Sequence, residues 1–134
     1  MTYFATDPSL NVSPIVFSES STDWESLTDC VKSKLLSLEV LTDYWISQDI
    51  SFKNKMCLLG FKQIKNAVDK KLYLIRLHRD SVNRLKLSVE DCLKFVPYET
   101  DTYDLLCEIC VACGNFLNNV SNVVLDNLIN LSKQ

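Results

Sequence analysis

Apolar residues recur along this chain at three- and four-residue steps and nowhere alternate for long with a period of two, so the pattern predicts helices and no sheet. The first stripe is Trp24, Leu27, Val31, Leu35, Leu38, Leu41 and Trp45. It opens at Thr22-Asp23-Trp24-Glu25, which has the form of a capping box: the hydroxyl accepts an early backbone N–H and Glu25 reaches back to the cap. Asp23, Glu25 and Asp29 suit the positive end of the helix dipole. Residues 1–20 hold Pro8 and Pro14 and show no helical period, so they read as a flexible tail or strap. The cluster Ile15-Val16-Phe17 within it is expected to pack back onto the domain.

A break near Gln48-Asp49-Ile50-Ser51 leads into a second helix of roughly 36 residues, about 50 Å long at the usual rise. Leu58, Phe61, Ile64, Val68, Leu72, Ile75 and Val82 form its core-facing stripe. Leu59, Leu74 and Leu77 fall on the opposite side, so this helix has apolar residues on two faces and needs cover on both. Ser88-Val89-Glu90-Asp91 restarts a short helix, pinned by Cys92, Leu93 and Val96 and ended by Pro97. The last helix starts at Thr100 or Asp101 and follows Tyr103, Leu106, Cys110, Cys113, Leu117, Val120, Val124, Leu128 and Leu131, a heptad-like series. Its reverse face is Asn115, Asn118, Asn119 and Asn122, polar without charge.

The predicted fold is therefore all-α: an elongated helical bundle with coiled-coil character, three main helices plus one short helix, over residues 21–134 as a single domain. The 134 residues are 47% hydrophobic and 23% charged, enough for one core, and two Gly and three Pro leave little punctuation for a many-hairpin fold. No apolar run approaches the ~18 residues of a membrane span, and the first residues lack the pattern of a secretory signal. A soluble intracellular protein, cytoplasmic or nuclear, with its six cysteines reduced, is expected.

Charge changes this picture. Residues 51–86 carry ten Lys and Arg against Asp69 and Asp80, the residues before them eight acids against two lysines, and those after them seven acids against two lysines. Segment charges of −6, +8 and −5 thus lie beneath the net −3. Around the second helix Lys62, Lys55 and Arg84 fall on one flank of the apolar stripe and Lys53 and Lys71 on the other. That arrangement suits a helical interface whose lysine stems cover apolar surface while their heads meet acids, either on the neighbouring helices or on a partner. Nucleic acid is the weaker alternative for the bases of residues 53–86, since Lys predominates, only Tyr73 is interleaved and the pI is about 5.1.

Other chemistry is thinly represented. Cys107, Cys110 and Cys113 form C-x-x-C-x-x-C, but on a helix the outer two point about 120° apart. They are expected to pack as small apolar side chains, with no metal and no cofactor. The one histidine, His78, reads as a surface or interface residue, and the two glycines cannot build a phosphate cradle. No enzymatic activity is expected.

Asp91-Cys92-Leu93-Lys94-Phe95-Val96-Pro97, followed by Tyr103-Asp104 and Ile109-Cys110-Val111-Ala112-Cys113, resembles the central part of virus-encoded Bcl-2-like helical proteins. The likeness covers a small part of the chain. Such domains carry further helices beyond this stretch, whereas about twenty residues remain here, so the family is not assigned. What the likeness implies, a regulator that sequesters a helical peptide in a groove, stands as an alternative. The leading expectation is a non-catalytic subunit or adaptor that assembles with a protein partner or with itself, through Leu59, Leu74, Leu77, Lys62 and Arg84, away from any membrane.

Overall fold

A computed structural model describes residues 12–15, 24–56 and 60–133. Four helical segments make three long rods: α1 (Trp24–Met56), α2 (Phe61–Leu93), and a third rod of α3 (Asp101–Asn115), a π-helical turn (Phe116–Val120) and α4 (Ser121–Ser132). Among the described residues there is no strand. Thr22, Asp23, the Glu25 side chain, Val16, Phe17, Leu58, Leu59 and the Phe61 side chain lie outside the described residues, and with them the N-terminal capping box and the start of the α2 stripe.

Side-chain bonds set the directions. Thr28 shares a hydrogen bond with Thr102, and Asn127 Nδ2 donates to both Asp49 carboxylate oxygens at 3.2 and 3.3 Å, so α1 and the third rod run parallel. Trp45 meets His78 and Gln48 meets Lys71, so α2 runs antiparallel to α1. The core lies along the common axis, with Val31, Leu38, Leu41 and Trp45 from α1, Val68, Ile75, Val82 and Leu85 from α2, and Leu106, Ile109, Phe116 and Leu128 from the third rod. Burial of such side chains stabilises the fold by about 1.5–3 kcal/mol each.

Two expected boundaries move. α1 does not break at Gln48–Ser51 but continues to Met56, and the chain reverses before Phe61. No Gly or Pro interrupts residues 24–56, and tertiary contacts hold the polar run in the helix: Phe52 is buried, Asp49 binds Asn127 and Lys53, and Gln48 accepts from Lys71. Ser88–Leu93 is likewise no separate short helix but the end of α2, because Val89 and Cys92 continue the buried stripe of Val82 and Leu85. The chain leaves the α-helix after Leu93 and passes through Pro97. Thr100 then caps α3, its Oγ1 accepting the Tyr103 N–H at 3.2 Å and donating to the Pro97 carbonyl at 2.8 Å, with Asp101 and Asp104 in the first turn.

The third rod buries a broader face than the expected heptad series. Thr102, Ile109 and Phe116 are buried, while Tyr103, Cys110 and Leu117 are only half-buried beside them. The rod touches both α1 and α2, so its apolar arc exceeds a two-position seam. Ile109 and Leu128 lie nineteen positions apart, which on a regular helix rotates one about 100° from the other. One residue gained in the π turn removes that drift. There the Ser121 N–H bonds to the Phe116 carbonyl, and the Ser121 hydroxyl donates to the Leu117 carbonyl at 2.9 Å.

The groove between α1 and α2 is filled from outside the rods. Val12 and Ile15 are buried, the Ile15 N–H donates to Ser88 Oγ at 3.0 Å, and Lys34 Nζ donates to Ser13 Oγ at 2.8 Å. Further along the groove Trp45 Nε1–H donates to His78 Nδ1 at 2.8 Å. His78 is thus fully buried rather than a surface residue; an imidazole that accepts at Nδ1 is neutral, with its proton on Nε2. The sequence sets His78 three residues after Ile75 and four before Val82, within the core stripe, and Trp45 supplies the polar partner that burial requires.

Candidate partner-binding surface

α2 turns its Val68–Ile75–Val82 line inward, which points the side chains half a turn away toward solvent. That outer face carries Lys62, Lys65, Lys70, Arg76 and Arg84, with Asp69 and Asp80 as its acids, and all seven are exposed. Between the bases stand Tyr73, Leu77 and Leu87, with 43 to 70% of their surface exposed. Aromatic and leucine side chains interleaved with Lys and Arg make a face that is amphipathic without being covered.

Among the described residues the bases of α2 find no counter-charge on another helix. Among the described residues the ion pairs are Lys53–Asp49 at 3.4 Å, Arg84–Asp80 at 3.1 Å and Lys94–Asp91 at 3.3 Å, each between neighbours three or four positions apart. No ion pair among the described residues joins α2 to α1 or to the third rod. Of the two arrangements expected for the basic helix, pairing with its acidic neighbours is therefore not how the described part of the bundle is built. Asp29, Glu39 and Asp43 of α1 and Asp101, Asp104 and Glu108 of α3 are exposed, and the half-buried Asp49 is taken by Lys53 and Asn127.

Two bases are drawn inward instead. Lys71 Nζ donates to Gln48 Oε1 at 2.7 Å and lies 5.7 Å from the Tyr44 ring centre and 5.8 Å from that of Trp45. Burial, and to a lesser degree the neighbouring Lys55, lowers its pKa. Arg79 donates to Asn122 Oδ1 at 2.8 Å, tying α2 to the third rod without an ion pair.

Of the residues expected to meet a partner, Lys62, Leu77 and Arg84 lie on this outer face. Leu74 does not: it is half-buried and packs against the core, on the same side of α2 as Lys71 and His78, which meet α1. Leu59 is outside the described residues. Tyr73, Arg76 and Leu87 belong to the face and were not singled out by the apolar count, although a helical plot of all large side chains would have placed them there. A second uncovered stripe, Leu36, Val40, Ile46 and Ile50 on the outside of α1, was also missed.

The cysteine triplet divides by burial. Cys113 is buried, Cys110 and Cys107 are half-buried, and burial pushes the Cys113 thiol up to about 12. Among the described residues no group of three or more His, Cys, Asp or Glu gathers as a metal ion would require, and no helix is long and apolar enough to cross a membrane.

No family model, curated protein or solved structure matches this chain.

Proposed function

We propose that the chain is a non-catalytic helical adaptor that binds a protein partner through the outer face of α2. The observation that carries this reading is the run of bases that, among the described residues, have no counter-charge on another helix, interleaved with exposed Tyr73, Leu77 and Leu87. Tyr and Arg at the centre of such a face are the side chains that most often dominate binding energy. A partner with an acidic, partly apolar surface fits it. The α1/α2 groove, which a peptide-sequestering regulator would need, holds Val12 and Ile15, and this favours the adaptor reading over that alternative. Nucleic acid draws on the same bases but has no use for exposed Leu77 and Leu87.

The test is partner capture with Tyr73→Asn/Leu77→Asn beside the unaltered protein. Loss of two central anchors should weaken capture by about 2 kcal/mol or more, roughly thirtyfold, with an unchanged helical circular dichroism spectrum. A partner retained equally by both proteins would remove α2 from the interface. Binding to unrelated nucleic acids, with a steep loss in salt, would move the face to the other class of ligand.

A further inference from the structure

We infer that the α2 face takes a second copy of this chain, received on the outer face of α1. The inference rests on the reading of α2 as a docking surface and names its occupant. On α1, Leu36, Val40, Ile46 and Ile50 have 48 to 62% of their surface exposed. Leu36, Val40 and Ile50 fall within about 80° of arc, opposite the buried line of Leu38 and Trp45. No described residue covers them. An apolar line along an exposed helix is a contact surface more often than an accident.

The two faces match in length and oppose in charge. Leu36 to Ile50 spans fourteen positions, as does Tyr73 to Leu87, so each apolar line runs about 21 Å along its helix. Glu39 and Asp43 are exposed beside the α1 line and make no ion pair among the described residues. Arg76 and Arg84 stand beside the α2 line. Next to Glu39 and Asp43 the structure has an open groove of about 330 Å³, floored by Leu38 and Ala112 and edged by Thr42 and Asn115. An apolar floor with carboxylates on its rim suits the stem and head of an Arg or Lys side chain from the opposing α2.

Because unlike faces meet, the contact is heterologous: each joined pair keeps one free α1 face and one free α2 face, and further copies add in series. A two-fold dimer does not use this contact.

Light scattering on size-exclusion fractions tests the arrangement. The unaltered protein should gain mass with concentration, past two copies, and lose it as salt rises. Leu36→Asn/Val40→Asn and Tyr73→Asn/Leu77→Asn should each be monomeric with an unchanged helical spectrum, since all four positions are exposed. Mixed in equal amounts they should form a dimer and stop, since one intact face of each kind remains. Should the α1 variant misfold, Glu39→Lys/Asp43→Lys carries the same expectation. A protein that stays monomeric at every concentration, a variant that still assembles, or a mixture that stays monomeric would overturn self-assembly. If the α2 variant nevertheless loses a different partner, the adaptor reading stands and only its occupant changes.

Discussion

Cys113 shows how a single side chain reports its surroundings. It lies fully buried among the core residues of the third rod, and burial raises its pKa from the ordinary 9.0 to about 12, Cys110 adding to the shift and Lys86 opposing it. Burial raises Cys92 and Cys110 as well. Between pH 9 and 12 the unfolded chain therefore binds fewer protons at Cys113 than the folded one, and stability falls as pH rises through that window. The slope approaches about 1.4 kcal/mol per pH unit. Urea unfolding of the unaltered protein across that range should show the decline, and Cys113→Ala should show a shallower one. Identical slopes would mean that the thiol is not buried as described. Trp45 Nε1 and His78 Nδ1 illustrate the complementary case, in which burial of these two polar atoms is tolerated because donor and acceptor meet at 2.8 Å.

Among the elements, the third rod is the one whose regularity is broken. The π turn at Phe116–Val120 brings Leu128 back to the azimuth of Ile109, and the Ser121 hydroxyl serves the Leu117 carbonyl inside the distorted turn. Gly114 sits just ahead of it, yet nothing lies within 4 Å of the place a Cβ would occupy. The glycine is therefore not required by packing. Gly114→Ala should stabilise the protein by about 0.5–1 kcal/mol, by reducing the backbone freedom lost on folding. Chemical denaturation gives the sign directly. A loss of stability would show that the rod needs a flexible point before its π turn.

For the whole molecule, the strap matters out of proportion to its length. Val12 and Ile15 are buried where α1 and α2 leave room between them, and Ser88 and Lys34 bind the strap backbone and Ser13 from either side. Val12→Ala/Ile15→Ala should cost about 2–4 kcal/mol by removing buried methyl groups that the rods cannot close over. Thermal and urea unfolding would measure it. A cost below about 0.5 kcal/mol, the range of ordinary surface changes, would place the strap away from the groove in solution. The charge asymmetry belongs to this scale too. With bases on the outside of α2 and acids on the outsides of α1 and α3, the molecule offers two opposite surfaces, the condition under which like molecules attract.

The period of apolar residues was enough to establish helices, the inward line Val68–Ile75–Val82, the outward placement of Leu77, and the start of α3 at the Thr100 cap, whereas Lys62 and Arg84, read as flanking the apolar stripe, stand on the outer face. These are properties of one helix and its ends, written in spacing and in local hydrogen-bonding residues. Packing decided the rest. Whether Gln48–Ser51 stays helical depended on Asn127 and Lys71 arriving from elsewhere in the chain, whether Leu74 is covered depended on how α2 packs onto the core, and His78 could be buried only because Trp45 faces it. A helical period tells which side chains share a face. How wide a face is buried is settled by how many neighbours press on it, and that number comes into being only when the rods pack.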